Sequence, residues 1–358
     1  MARETPSPRI RQFIVAFGIA LVASLSLTMP ARALAIRVGM VDLPGPRKVH
    51  LTPIPLLGGL AIYAGIMIAI LTVFQGAARA QVGGILAGAT LVIAVGILDD
   101  RGWLHHQIKL FVGMPLAGFV LLASGIHAQV FSVLIGGLAG FLLDAALTIL
   151  WVMGITAAFS ILDHMDGLCA GVAAMASVFF ALIAYLHGQM LVTVLAAAVL
   201  GAAAGFLRWN FKPAKIFMGD GGAMLLGFLM ATLGLKLRIA QPDHLGAWLV
   251  PVLVLGVPVF DTALVSISRG RRGLLPFTSP GKDHAAHRLA NLGLGQRNAV
   301  LTLYCAGAAS GGLAVIESYL SGRAAIALAV FAVGAAVSAI ALLERVPYQR
   351  QPAKHISA

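Results

Sequence analysis

Val82-Gly-Gly-Ile-Leu-Ala-Gly-Ala-Thr-Leu-Val-Ile-Ala-Val-Gly-Ile-Leu98 is followed directly by Asp99-Asp100. The 17 residues 82–98 carry no charge, and their length approaches the roughly 20 residues that an apolar helix needs to cross a bilayer. A carboxylate at mid-bilayer costs ~2.5–3.5 kcal/mol on insertion scales. Two adjacent carboxylates also repel, so one tends to keep its proton. The pair is cheapest where the helix leaves the lipid. Paired carboxylates at a membrane mouth point to a cation, although a helix end carries polar residues for plainer reasons too.

The same reading extends to the whole chain. Its 358 residues are 59% hydrophobic and 11% charged, with a mean hydropathy of +0.94, whereas a soluble domain is about 25% charged. The expected fold class is an all-α polytopic membrane protein. It forms a single integral-membrane domain over 1–345, with a cytoplasmic tail over 346–358. The net charge of +12 fits Lys and Arg on the cytoplasmic side, near anionic headgroups or phosphorylated substrates. No nucleic-acid motif is present. Cys169 and Cys305 both lie in apolar runs and support neither a disulfide framework nor a zinc site.

Apolar runs fall at about 12–36, 57–75, 82–98, 107–124, 142–161, 167–187, 190–207, 221–239, 247–267, 298–317 and 322–343, which predicts about 11 spans. Residues 12–36 are read as a first span rather than a signal peptide, because the run is long for one and Pro30 and Arg32 interrupt its end. The Gly-rich 125–141 suits a re-entrant or short interfacial piece. Loops at about 38–56, 99–106, 162–167, 208–220 and 268–297, together with the tail from Arg345, hold most of the Lys and Arg, and are placed in the cytoplasm. On that topology Asp42, Asp99, Asp100, Asp163, Asp166, Asp220, Asp261 and Asp283 share the cytoplasmic side, eight of the 13 acids. Lys48, His50, Lys109, Lys215, His284, His287 and Arg288 fall there too. Carboxylates for a divalent cation beside cations for phosphates form the expected equipment of phosphoryl transfer.

Four motifs carry this chemistry. The first loop, Asp42 to Gly59, stiffens a basic segment with prolines and glycines. Asp163-His-Met-Asp166 sets two carboxylates on one helical face. Lys215-Ile-Phe-Met-Gly-Asp220-Gly-Gly222 lets a ligand or metal approach the backbone. Asp283-His284-Ala-Ala-His287-Arg288 offers imidazoles three apart, suited to metal or, with Arg288 adjacent, to diphosphate or sugar. Each also has a dull reading as a helix end or a basic loop. No GxxxxGK[ST] loop supports ATP hydrolysis.

Taken in order, DLPGPRKVHLTPIPLLGG (42–59), GILDDRG (96–102), ILDHMDGLCAG (161–171), PAKIFMGDGGAMLLGF (213–228) and PVFDTALVSISRGRRG with DHAAHRL (258–289) resemble the polyprenyl-phosphate N-acetylhexosamine-1-phosphate transferases, the glycosyltransferase family 4. Its members start O-antigen, lipopolysaccharide, exopolysaccharide and related cell-wall polymers. The resemblance implies ten or eleven helices with a cytoplasmic-face site in a bacterial inner membrane. The implied reaction is UDP-sugar plus polyprenyl phosphate giving polyprenyl-diphospho-sugar plus UMP, with Mg2+ (Mn2+ as a substitute). UDP-N-acetylglucosamine is the implied donor and a homodimer a candidate assembly. By matching positions, Asp99, Asp100 and Asp166 carry the catalytic role, and Asp220 and Asp163 the metal. Lys48, His50, Lys109, Ser160, Lys215, His284, His287 and Arg288 bind substrate. Direct attack and a covalent intermediate are both open.

Departures bear on activity. The family reads Asn-Ala-Phe-Asn where this chain has Ala157-Ala-Phe-Ser160, carries Asn or Gly at His164, and Arg at Leu56. Two rivals follow: a transporter, for which Asp144 near a span start is the chief mark, and a degenerate homologue without catalysis.

Overall fold

The computed structural model describes residues 8–44, 52–74, 79–239, 244–275 and 281–347. Helices α1 (Pro8–Arg37), α2 (Gly58–Val73) and α3 (Arg79–Asp100) open the chain, and a two-residue antiparallel ladder, β1 (Val41–Asp42) with β2 (Ile54–Pro55), closes the first loop. A helical piece follows as α4 (His106–Ile108), a π-helical turn over Lys109–Gly113, and α5 (Met114–Ala123). Then come α6 (Phe131–Leu134), α7 (Gly137–Leu162), α8 (Leu168–Leu186), α9 (Met190–Asn210) and α10 (Gly219–Lys236). The last helices are α11 (His244–Val254), α12 (Gly256–Gly270), α13 (Ala285–Leu289), α14 (Gly295–Glu317) and α15 (Gly322–Leu343).

A helix apolar on every side belongs inside a bundle or inside lipid, and α10 and α15 show both outcomes. Helix α10 is buried almost from end to end and packs against α2, α3, α7 and α8. Helix α15 buries Ala325 alone, and Val330, Phe331 and Val337 face outward. The difference lies in the glycines at the N-terminus of α10, which let neighbouring backbones close on it. A Cβ on Gly96 of α3 would stand 2.3 Å from Gly221 Cα, and one on Gly59 of α2 would stand 2.5 Å from Gly222 Cα.

Among the described residues, seven helices are long and apolar enough to cross a membrane. They become eight if Trp248–Val254 and Gly256–Gly270, bent by 81°, make one span. The runs at 57–75 and 107–124 form shorter apolar helices, Gly58–Val73 and Lys109–Ala123, and the run at 221–239 forms α10. Length and composition thus support a multi-pass protein with seven or eight candidate spans, fewer than the eleven expected. Within 125–141 the chain forms the short helix α6. Its N-terminal N–H groups meet Asp144, whose carboxylate accepts hydrogen bonds from Val130, Phe131 and Ser132 at 2.8–2.9 Å. Asp144 is therefore a capping residue satisfied by backbone, which removes the main mark of an ion pathway.

Candidate active site

Five acids converge where α3, α7 and α10 come together. The C-terminus of α3 delivers Asp100 to the start of α10, where its carboxylate accepts the backbone N–H of Asp220 at 2.9 Å and of Gly221 at 3.2 Å. The free donors of a helix N-terminus favour an anion, and here a different helix supplies it. Gly219 has φ +71°, and a Cβ there would lie 2.4 Å from Asp100 Oδ2 and 2.6 Å from the Leu56 carbonyl. Only glycine fits this corner of the Met-Gly-Asp motif.

Asp99, one residue back, faces Asp220 across Lys109. The Lys109 Nζ donates to Asp99 Oδ2 and to Asp220 Oδ2, each at 2.5 Å. Lys109 opens the π-helical turn, an irregularity common at functional sites. The other oxygen of Asp220 accepts the Ser160 hydroxyl at 2.8 Å. Asp163 lies just beyond the C-terminus of α7. Burial, followed by the charges of Asp220, Asp100 and Asp166, pushes its carboxyl up to about 8. Asp166 accepts the Ala214 N–H at 3.1 Å. Among the described residues, Lys109 is the one cation ion-paired within this group of five acids.

The donor set is oxygen throughout, which suits a hard divalent cation. One observation fits that group: an ammonium already bridges Asp99 and Asp220.

The histidine loop lies next to the acids. Asp261 of α12 accepts His284 Nδ1–H at 2.8 Å and the Ala285 N–H at 2.7 Å, capping α13. The His164 ring stacks on His284 with centroids 4.1 Å apart and lies 4.9 Å from His287. His164, Asp261 and His284 each offer one ligand atom within 4.8 Å of the others. Because His164 follows Asp163 directly, this stack joins the loop to the carboxylates.

Several expected site residues are placed elsewhere. Arg288, expected to hold substrate, is fully buried. Its Nε donates to the Asp283 carbonyl, Nη1 to the Leu343 carbonyl and Nη2 to Ser268 Oγ, all at 2.8 Å. It clamps the loop to α12 and to the end of α15, because a buried guanidinium must satisfy its donors within the protein. Lys215 is exposed, its ammonium lying over the Trp209 ring at 5.4 Å. Lys48 and His50 lie outside the described residues. The base of their loop is tied to the site, with Phe217 N–H donating to the Pro55 carbonyl at 2.8 Å and Gly58 N–H to the Phe217 carbonyl at 3.0 Å. Two residues gain weight. Asp261 and His164 complete the histidine loop, a pairing that no short spacing announces because Asp261 and His284 are 23 positions apart.

The family profile for Glycosyl transferase family 4 matches residues 82–238. A Bacillus subtilis (strain 168) protein, "Probable undecaprenyl-phosphate N-acetylglucosaminyl 1-phosphate transferase", is 35% identical over 309 residues, covering 84% of this chain and 83% of its own. "Decaprenyl-phosphate N-acetylglucosaminephosphotransferase" of Mycolicibacterium smegmatis is 34% identical over 347 residues, covering 88% of this chain and 85% of its own. A Yersinia pestis relative, "Undecaprenyl-phosphate alpha-N-acetylglucosaminyl 1-phosphate transferase", is 28% identical over 309 residues, covering 83% and 82%. Apolar helices with an acid-lined end, together with these relatives, define a multi-pass membrane transferase. The chain belongs to the polyprenyl-phosphate N-acetylhexosamine-1-phosphate transferase family, within glycosyl transferase family 4.

Proposed function

We propose that the protein transfers N-acetylglucosamine-1-phosphate from UDP-N-acetylglucosamine to polyprenyl phosphate, releasing UMP and starting a cell-envelope polysaccharide. The observation that carries this reading is the convergence of Asp99, Asp100, Asp163 and Asp220 around Lys109 and Ser160. The names of the relatives support the sugar and the lipid. In this reading the shorter helices α2 and Lys109–Ala123 and the central α10 also span the bilayer. The acids then face the cytoplasm at the inner membrane.

Asp220 and Asp163, with Asp99 and Asp100 beside them, would hold Mg2+, or Mn2+ in its place. When bound, the ion supplies charge neutralisation at the diphosphate. An oxygen of the lipid phosphate attacks the sugar-linked phosphorus of the donor, and the bond from that phosphorus to the bridging oxygen breaks as UMP leaves. Lipid phosphate is mostly anionic at neutral pH, so direct attack needs little help from a base. Asp99 orients that phosphate and removes a residual proton. Lys109 offers its ammonium to phosphate oxygens. His284 and His287 meet the diphosphate and sugar, Lys215 assists from the rim, and Lys48 and His50 are assigned to the substrate by the sequence resemblance alone. Arg288 is left out of this list because its donors are engaged.

Purified protein given UDP-N-acetylglucosamine, polyprenyl phosphate and MgCl2 should release UMP and form a lipid-linked product, and Asp220→Asn should abolish both. Unchanged release by that variant would remove the metal assignment. Solute flux without a lipid-linked product would favour a transporter, a reading that Asp144 no longer supports. The Ser160 bond to Asp220 supports catalysis over a degenerate homologue.

A further inference from the structure

Helix α15 buries Ala325 alone along its 22 residues, yet the turn that ends it is tied to the histidine loop. Arg288 Nη1 lies 2.7 Å from Glu344 Oε1, and Arg271 Nη1 lies 3.7 Å from Glu344 Oε2. Asn291 Nδ2 donates to the Pro347 carbonyl at 3.1 Å, and Val346 is buried. The two ion pairs differ in kind. Arg271 is 70% exposed, where an ion pair contributes little. Arg288 is fully buried and Glu344 nearly so, and a buried guanidinium needs a countercharge. Asp283 is already held by Arg269 and Arg272, so Glu344 is the carboxylate that faces Arg288. Its Oε1 is buried and accepts no hydrogen bond, which makes the contact one of charge.

We propose that Glu344 is a positioning residue for the sugar donor: its charge holds Arg288, and Arg288 holds the segment that carries His284 and His287. The Arg288 Nε donates to the Asp283 carbonyl, one residue before His284, while its own backbone follows His287. The guanidinium therefore closes the segment 283–288 on itself, with both histidines inside. Anchoring the outer end of that guanidinium to α15 fixes where the imidazoles stand. A helix that is otherwise exposed thus enters the active site through one carboxylate. The inference rests on the assignment of His284 and His287 to the diphosphate and sugar, and it requires no bound metal.

The test uses the full-length protein in detergent. Binding of UDP-N-acetylglucosamine is read by calorimetry, and UMP release gives kcat and both KM values. Glu344→Gln keeps the shape and removes the charge, and Glu344→Asp keeps the charge. Glu344→Gln should weaken donor binding and raise the donor KM about tenfold, the scale of a lost contact to a charged group. Its kcat and its KM for polyprenyl phosphate should stay nearly unchanged, and Glu344→Asp should recover most of the loss. Arg271→Ala, which breaks only the exposed pair, should bind the donor like the parent protein. Added to Arg288→Met, Glu344→Gln should cause no further loss, because residues that act as one unit are not additive. An unshifted donor KM in Glu344→Gln would overturn the proposal. So would a loss confined to kcat, which marks a smaller folded fraction, or a further loss on top of Arg288→Met. The transfer reaction is judged on the parent protein alone. Parent turnover with an unshifted Glu344→Gln would sink this contact and spare the reaction, whereas weakened donor binding without parent turnover would do the reverse.

Discussion

The Ser160 hydroxyl donates to Asp220 Oδ1 across 2.8 Å, joining the end of α7 to the first turn of α10. The family places asparagine at this position, and the shorter side chain still reaches the carboxylate. The hydrogen bond fixes the rotamer of Asp220, whose other oxygen is bound to Lys109.

Removing that hydroxyl leaves Asp220 with one partner fewer. Ser160→Ala should lower kcat/KM by about tenfold, corresponding to the ~1–2 kcal/mol of a hydrogen bond to a charged group. Ser160→Asn should recover most of it. Equal activity in Ser160→Ala and the parent protein, measured by UMP release, would show that the contact does not orient Asp220.

Lys109 separates two carboxylates that would otherwise repel. Breaking a buried ion pair by removing one partner costs about 3–5 kcal/mol, and less here because Lys109 is partly open to solvent, its side chain 17% exposed. Lys109→Met should therefore lower the thermal midpoint in EDTA and regain part of it in millimolar MgCl2, since a bound cation replaces the lost charge. It should also reduce UMP release by a hundredfold or more. A midpoint indifferent to MgCl2 would contradict the cation site.

The close approach of α3 to α10 is set by Gly96 and Gly221. Gly96→Ala puts a methyl group 2.3 Å from the Gly221 backbone, and neither side can move like a flexible side chain. Overpacking of this kind costs about 1–3 kcal/mol. It also shifts Asp99 and Asp100 relative to Asp220, so activity should fall more steeply than stability. Gly83→Ala on the same helix meets nothing within 4 Å and should be neutral in both. A neutral Gly96→Ala would show that the helices sit farther apart.

Asp163 supplies a pH signature. Its pKa is raised to about 8 by burial and then by Asp220, Asp100 and Asp166. A group raised in the folded state contributes stability that is fully present below its unfolded value, about 3.9, and is lost as pH rises through its folded value. In EDTA the thermal midpoint should fall between about pH 4 and roughly pH 8 and level off above it, and Asp163→Asn should flatten that slope. Because a bound cation requires the carboxylate to shed its proton, Mg2+ binding at pH 7 should release protons, seen as buffer-dependent heat in calorimetry. A midpoint unchanged across that range would place Asp163 in water.

The helices at 82–98, 142–161 and 190–207 were legible because an apolar run of bilayer length permits few other structures. The acids at Asp99, Asp100 and Asp220 were legible for a related reason. Charge in so apolar a chain is costly, so acids gather where helices end and other polar groups can meet them. The span count was less legible, since apolar composition does not reveal whether a run is straight, short, or bent by 81° like the pair around Leu255. Arg288 misled, because a basic residue next to two histidines looks the same in sequence whether it faces a phosphate or a carbonyl at the end of α15.

By itself, the sequence determined that this is a multi-pass helical membrane protein with carboxylates held at one end, because composition and periodicity act locally along each helix. Tertiary structure alone decided that Lys109 lies between Asp99 and Asp220, that Asp261 holds His284, that His164 stacks in the loop, and that Arg288 is a clamp. Those relationships join residues as much as 120 positions apart. They depend on how closely glycine-bearing backbones pack, a property of pairs of helices that no single stretch of residues encodes.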